Sequence, residues 1–230
     1  MNIEVWSDIA CPFCYIGKRK FEMGLDQFSD KENVKVTYKS FQLQPDADVH
    51  TTETLNEQLE KKFGQGPEQV AAMQQQVVQQ ANDVNLDYHM DDVKPTNTES
   101  AHRLIHYAKE HGKMAEMKEE LLKAYFIEGK HVGEHEQLAA LAERVGLNKQ
   151  TALTILESGA YKEAVQQDIQ EGAQLGVQGV PFFVFNRKYA VSGAQPPEAF
   201  LEVLNKVRDE EKDQGLKVMN QGDACTDESC

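Results

Sequence analysis

The stretch Ile3-Glu-Val-Trp-Ser-Asp-Ile-Ala-Cys11-Pro-Phe-Cys14 constrains the fold of this chain more than any other. Ile3 and Val5, with Trp6 behind them, form a short apolar run that reads as a buried strand. Beyond it Cys14, Lys18, Phe21, Leu25 and Phe28 recur at helical spacing, so the C-x-x-C pair opens a helix. Residues i and i+3 of a first helical turn lie roughly 5–6 Å apart at Cα, a separation that a disulfide can bridge. Cys11 then falls at the N-cap and Pro12 at the first helical position, where a missing N–H costs nothing. The unpaired N–H groups and positive dipole end of the helix are expected to hold Cys11 as a thiolate. Cys14, one turn deeper, is expected to resolve a mixed disulfide formed on Cys11.

A C-x-x-C pair is also half of a zinc site, and a buried cysteine is often only a small hydrophobe. A zinc half-site usually sits on a turn with its partner pair nearby, whereas this pair follows a strand and starts a helix. Redox chemistry is therefore the favoured reading, with no metal. His102 and His106, spaced i, i+4, have metal-ligand spacing but no carboxylate pattern beside them, so they are not assigned as ligands. Asp8 lies close enough in sequence to oppose ionisation of Cys11. Lys18, Arg19 and Lys20 read as a solvated basic face.

The chain has 230 residues and a formal net charge of −14, long enough for a full core and repelled by phosphate backbones and anionic lipid. Nucleic acid and membrane are excluded as expected partners. The opening Met1-Asn-Ile-Glu-Val-Trp has neither a basic n-region nor an apolar h-region, so a cytoplasmic protein is expected. Four cysteines in such a chain point to catalysis or metal rather than to a disulfide framework.

Asn33 to Leu43 alternates Val34, Val36 and Tyr38 with polar residues, a half-buried strand completing β–α–β. From about residue 52 to 176 the pattern is helical, with Thr96-x-x-Glu99 as a capping box before Ala101, Leu104, Ile105 and Ala108. Gly64, Gly112, Gly129, Gly146, Gly159 and Gly176 fall where successive helices end. At Val177 the period changes back: Phe182–Phe185 and Tyr189–Ser192 read as strands joined by a tight turn at Asn186-Arg-Lys. A last helix carries Phe200, Leu201, Leu204 and Val207, and frays beyond about residue 209.

Taken together, Trp6-Ser-Asp-Ile-Ala-Cys11-Pro-Phe-Cys14-Tyr-Ile-Gly, Phe41-Gln-Leu-Gln-Pro45, Asn97-Thr-Glu-Ser-Ala-His-Arg103, Tyr125-Phe126, Gly176-Val-Gln-Gly-Val-Pro-Phe-Phe-Val184 and Ser192-Gly-Ala-Gln195 resemble the DsbA-type thioredoxin-fold oxidoreductases, in the subgroup called FrnE-like. Their relatives include glutathione-dependent 2-hydroxychromene-2-carboxylate isomerases and kappa-class glutathione transferases. The resemblance covers residues 3–208. It implies an α/β, thioredoxin-like fold: a four-stranded mixed sheet at 1–45 and 177–212, interrupted by an all-helical insertion at 46–176, with 213–230 as a tail. It also implies a cis Pro181 facing Cys11, with Val180 and Pro181 binding substrate. Pro181 lacks an N–H, which leaves the backbone at Val180 to pair with an extended substrate. Between the cysteines the DsbA pattern has a His, where this chain has the uncharged Pro12 and Phe13.

The function expected is thiol–disulfide exchange on a disulfide- or dithiol-containing protein or a small thiol, with Cys11 attacking and Cys14 resolving. No cofactor is expected beyond glutathione as a co-substrate. Two alternatives remain open: a glutathione-dependent isomerase or transferase, and a redox- or zinc-sensing chaperone. In the isomerase and transferase relatives a Ser usually replaces the nucleophilic Cys and no second Cys is needed, which favours redox here. Cys225 and Cys230, outside the resemblance, are expected to form a redox shuttle for the main pair, rather than a closed disulfide or incidental thiols.

Overall fold

A computed structural model describes residues 1–213; Cys225 and Cys230, and the shuttle expected of them, lie outside the described residues. Strand β1 (Asn2–Ser7) leads into helix α1 (Pro12–Asp26), and α1 into β2 (Lys35–Ser40). Seven helices follow: α2 (Leu55–Phe63), α3 (Pro67–Asn82), α4 (Glu99–Glu110), α5 (Met114–Phe126), α6 (His135–Arg144), α7 (Lys149–Ser158) and α8 (Lys162–Gln174). Strands β3 (Phe182–Phe185) and β4 (Tyr189–Ser192) and helix α9 (Pro197–Asp213) complete the order. The sheet runs β2-β1-β3-β4, with β1 and β2 parallel and the other two pairs antiparallel. This is the four-stranded mixed sheet expected.

The period of two in the strands separates the faces of the sheet. Ile3 and Val5 stand opposite Phe185 and Phe183, and their common face is closed by Phe21 of α1 and Phe200 of α9. The rings of Phe21, Phe183 and Phe200 lie 4.7–5.6 Å apart, within reach of edge and tilted aromatic contacts. On the opposite face Trp6 and Val184 pack with Val177, and the Trp6 indole donates to the Asp168 carbonyl of α8 at 2.8 Å. α8 comes this close because Gly172 has no side chain: a Cβ there would lie 2.6 Å from Trp6 Nε1. α1 serves two cores at once. Phe21 belongs to the sheet, while Tyr15 and Ile16 pack into the cluster formed with helices α4 to α7.

The six glycines read as helix ends all adopt positive φ. The tight turn between β3 and β4 takes three residues, with Asn186 and Arg187 both at positive φ and the Lys188 N–H donating to the Phe185 carbonyl at 2.9 Å. Two local expectations are corrected. Thr96 and Glu99 do not form a capping box: α4 starts at Glu99 after Thr98, and the Thr96 hydroxyl donates instead to the Val49 carbonyl at 2.9 Å. Asn97 Oδ1 accepts the Glu99 N–H at 2.8 Å in its place. The capping box among the described residues that both partners complete is Thr54–Glu57, at the start of α2. The last helix, expected to fray near residue 209, continues to Asp213.

Candidate active site

Cys11 is the N-cap of α1 and Pro12 its first residue, as the sequence predicts. Both sulfurs are free thiols and both cysteines are buried, while Phe13 between them is 38% exposed. Cys11 Sγ lies 3.6 Å from the Val180 carbonyl oxygen, and the Val180–Pro181 bond is cis. So the structure brings Cys11, Cys14, Val180 and Pro181 together. α1 passes close to Pro181 at Gly17, where a Cβ would lie 2.8 Å from Pro181 Cγ. The far side of Pro181 is fixed by its carbonyl, which accepts the Gly193 N–H at 2.8 Å.

The charges around the two sulfurs differ. Burial alone would raise the Cys14 thiol. The hydrogen bond with Cys11, the Lys118 ammonium, Ser7 and the Asp8 N–H outweigh it and hold the Cys14 pKa below its ordinary value. Cys11 is pushed the other way. Its hydrogen bond to Cys14 is the main cause, followed by burial, the negative charge of Cys14 and the more distant Asp8 carboxylate. The two thiols share one proton, so the first ionisation of the reduced pair belongs to both sulfurs together, with the surroundings of Cys14 favouring the charged form. The helix end, expected to favour a thiolate on Cys11, and the Lys118 ammonium behind Cys14 act on this same pair.

Lys118 belongs to α5 and is fully buried, with Nζ donating to the Ser7 carbonyl at 3.3 Å. Burial lowers its pKa to about 8 against the pull of the Cys14 and Asp8 charges. Sequence reading missed Lys118. The signal was there: Met114, Met117, Lys118, Leu121, Leu122 and Tyr125 make one stripe of α5, and a lysine interrupts it.

Asp8 is buried and ionised. Burial would raise its pKa, but His102, the Leu43 N–H at 2.8 Å and Thr98 lower it below the usual carboxylate value. Burial also lowers the His102 pKa, so His102 stands neutral at pH 7, with Nε2–H donating to Asp8 Oδ1 at 3.2 Å. His106, one turn on, faces Asp168 at 3.0 Å instead. The i, i+4 histidines thus serve two separate carboxylates.

The basic face read at Lys18–Lys20 is also corrected. Lys18 is buried, and both Lys18 and Arg19 pair with Glu22 and with Glu119 of α5. Tyr15 donates its hydroxyl to the same Glu119 at 2.5 Å. Two consecutive residues of α5 therefore tie down the helical segment, Lys118 to Ser7 of β1 and Glu119 to the cysteine-bearing helix.

Residues 2–205 match the profile of the DSBA-like thioredoxin domain. A solved probable DsbA oxidoreductase from Streptomyces coelicolor is 35% identical; the alignment covers 100% of this chain and 98% of that one, with a TM-score of 0.88. An uncharacterised protein of Bacillus subtilis (strain 168), YwbO, is 26% identical over 214 residues, 92% of this chain and 98% of its own. A solved 2-hydroxychromene-2-carboxylate isomerase shares the fold at a TM-score of 0.70 and 15% identity, over 94% of this chain and 100% of that one. The chain belongs to the DSBA-like thioredoxin-domain family.

Proposed function

We propose that the chain is a dithiol–disulfide oxidoreductase that uses Cys11 as nucleophile and Cys14 as resolving thiol. The observation that carries this reading is the asymmetry of the pair: Cys11 faces Val180, and Cys14 is buried against a cation. The proton of Cys11 passes to Cys14, and the Cys11 thiolate attacks one sulfur of a substrate disulfide. The S–S bond breaks and the first substrate thiolate leaves. Cys14 then loses its proton to that leaving thiolate or to solvent. With Cys11 blocked in the mixed disulfide, the charge of Lys118 and the hydrogen bonds of Ser7 and Asp8 favour a Cys14 thiolate. Cys14 attacks Cys11 Sγ, the Cys11–Cys14 disulfide forms and the second substrate thiolate departs. The reverse sequence oxidises a substrate dithiol.

Pro181 has no N–H to compete, so the Val180 backbone beside Cys11 suits an extended peptide, and exposed Phe13 adds apolar surface to the same rim. A protein disulfide or small disulfide is therefore the substrate class, with glutathione as the thiol that recycles the pair. Four cysteines in 230 residues fit a cytoplasmic, reducing setting. No helix among the described residues is long and apolar enough to cross a membrane.

The test is insulin reduction by the wild type, Cys11→Ser and Cys14→Ser. Cys11→Ser is expected to be inactive, and Cys14→Ser to accumulate mixed disulfides. Full activity in Cys11→Ser would overturn the assignment. Loss of reductase activity in Cys14→Ser also separates this reading from isomerase chemistry, which needs no second cysteine.

A further inference from the structure

We propose that His50, His131 and Glu134 form a binding site for one divalent transition-metal ion of the zinc class, using no residue of the thiol site. One ligand atom from each residue can be chosen so that all lie within 4.8 Å of one another. The two imidazole rings lie with centroids 5.5 Å apart, tilted by 40°. With metal–ligand bonds of about 2.0–2.1 Å, the ligand atoms of a tetrahedral site sit about 3.4 Å apart. Closing the gap takes a movement of about 1 Å, which the exposed His50 can supply.

The frame around the three residues is built. Gln137 holds two of the ligands at once: its Oε1 accepts the His131 N–H at 3.2 Å and its Nε2 donates to Glu134 Oε2 at 2.9 Å. The Glu134 N–H donates to the His131 carbonyl at 3.3 Å, closing the turn that carries both. The Gly133 N–H lies 3.3 Å from His131 Nδ1, which orients the ring on the turn. Gly133 permits the close approach, since a Cβ there would lie 2.1 Å from Thr96 Oγ1. Thr96 in turn bonds the Val49 carbonyl, the residue before His50. The third ligand is thereby tethered to the turn that holds the other two.

The donor set selects the ion. Two imidazoles and one carboxylate suit zinc and its borderline neighbours, whereas magnesium and calcium take oxygen ligands. Three protein ligands leave a fourth position for water. The histidine–carboxylate ion pairs among the described residues are made by His89, His102 and His106, none of which belongs to this trio. A bound ion would cross-link the segment after β2 to the start of α6. It would thereby brace one wall of the groove of about 700 Å³ lined by Leu43, Pro45, Thr51 and Thr96.

The test is titration of the full chain with Co²⁺, followed by displacement with Zn²⁺. One equivalent is expected to give weak visible d–d bands without the near-ultraviolet charge transfer that thiolate ligands produce, and Zn²⁺ is expected to raise the melting temperature. Losing a ligand should cost more than losing an outer-shell partner, which typically costs 10–100-fold in affinity. His50→Ala and Glu134→Gln are therefore each expected to weaken binding about 100-fold and Gln137→Leu about 10-fold, with insulin reduction unchanged. His50 is exposed, so its variant tests the site without endangering the fold. Binding that persists in His50→Ala, a thiolate charge-transfer band as the only signal, or no binding at micromolar metal would each overturn the proposal.

Discussion

Lys118→Met replaces a buried cation by an apolar side chain of similar length and tests how the helical segment governs the thiol pair. Lys118 Nζ donates to the Ser7 carbonyl, and Ser7 and Lys118 both lower the Cys14 pKa, so ammonium and sulfur are close neighbours. Charges about 5 Å apart at an effective dielectric of about 20 attract by about 3 kcal/mol. The attraction exists only while Cys14 is a thiolate, that is, in the reduced protein. Removing it disfavours the reduced form. Since about 1.4 kcal/mol corresponds to about 30 mV for a two-electron couple, the potential is expected to fall by up to about 70 mV.

The stability effect has the opposite sign. A lysine whose pKa falls from 10.5 to about 8 keeps its charge in the folded chain at a cost of about 3 kcal/mol. Between pH 8 and 10.5 the unfolded chain holds a proton that folded Lys118 has given up, so the wild type gains stability as pH rises through that window. Lys118→Met should be the more stable protein at pH 7, and the difference should shrink towards pH 10. The measurements are equilibration against glutathione redox buffers and urea unfolding at several pH values, with near-ultraviolet circular dichroism as the check on packing. A folded Lys118→Met protein with an unchanged or higher potential would refute the reasoning.

Cys14→Ala removes the hydrogen bond and the charge that hold the Cys11 thiol up, so iodoacetamide should alkylate Cys11 at a lower pH than in the wild type; an unshifted rate profile would count against the shared proton. Gly17→Ala puts a methyl against Pro181 and is expected to slow exchange with insulin while leaving the melting temperature within a few degrees. Gly172→Ala drives a methyl into Trp6 and should cost about 1–3 kcal/mol as overpacking does, read by urea unfolding and by a shift in Trp6 fluorescence. On acidification, unfolded chains take up a proton near pH 6.5 that folded His102 refuses, and near pH 4 one that folded Asp8 refuses. Stability should therefore fall with pH below about 6.5, and His102→Gln should flatten the upper part of that fall. Deleting residues 223–230 is expected to leave Cys11 alkylation unchanged and to slow turnover with a protein disulfide; equal turnover would make the Cys225–Cys230 pair a passenger.

What could be read in advance was whatever the chain encodes locally. Ile3 and Val5, the C-P-F-C turn and the Phe182–Phe185 strand each carry their own period, and the motifs around them place Cys11, Cys14 and Pro181 in one site. The errors have one cause in common. Thr96 fits a capping box by spacing, but a carbonyl from the segment after β2 takes its hydroxyl. Lys18 fits a solvated face by composition, but Glu119 covers it. Both partners are distant in sequence, and no local pattern announces them.

The same non-local packing bears on the chemistry of the pair. Helix α1 brings no charge to the space between its cysteines; its Lys18 and Arg19 are spent on Glu22 and Glu119, and Lys20 donates to the Ala194 carbonyl. The charge that Cys14 meets comes from α5, more than 100 positions later in the chain (Ser7 and Lys118 lie 111 positions apart). A lone ammonium in that interior would be costly, and the ionised Asp8 offsets part of the cost while opposing a thiolate on Cys11. The balance is directional. Reducing the pair gives Lys118 a thiolate to face, and closing the disulfide takes that partner away. Helix α5 thus feels the redox state of the site directly, and changes there should tune the potential without touching either cysteine.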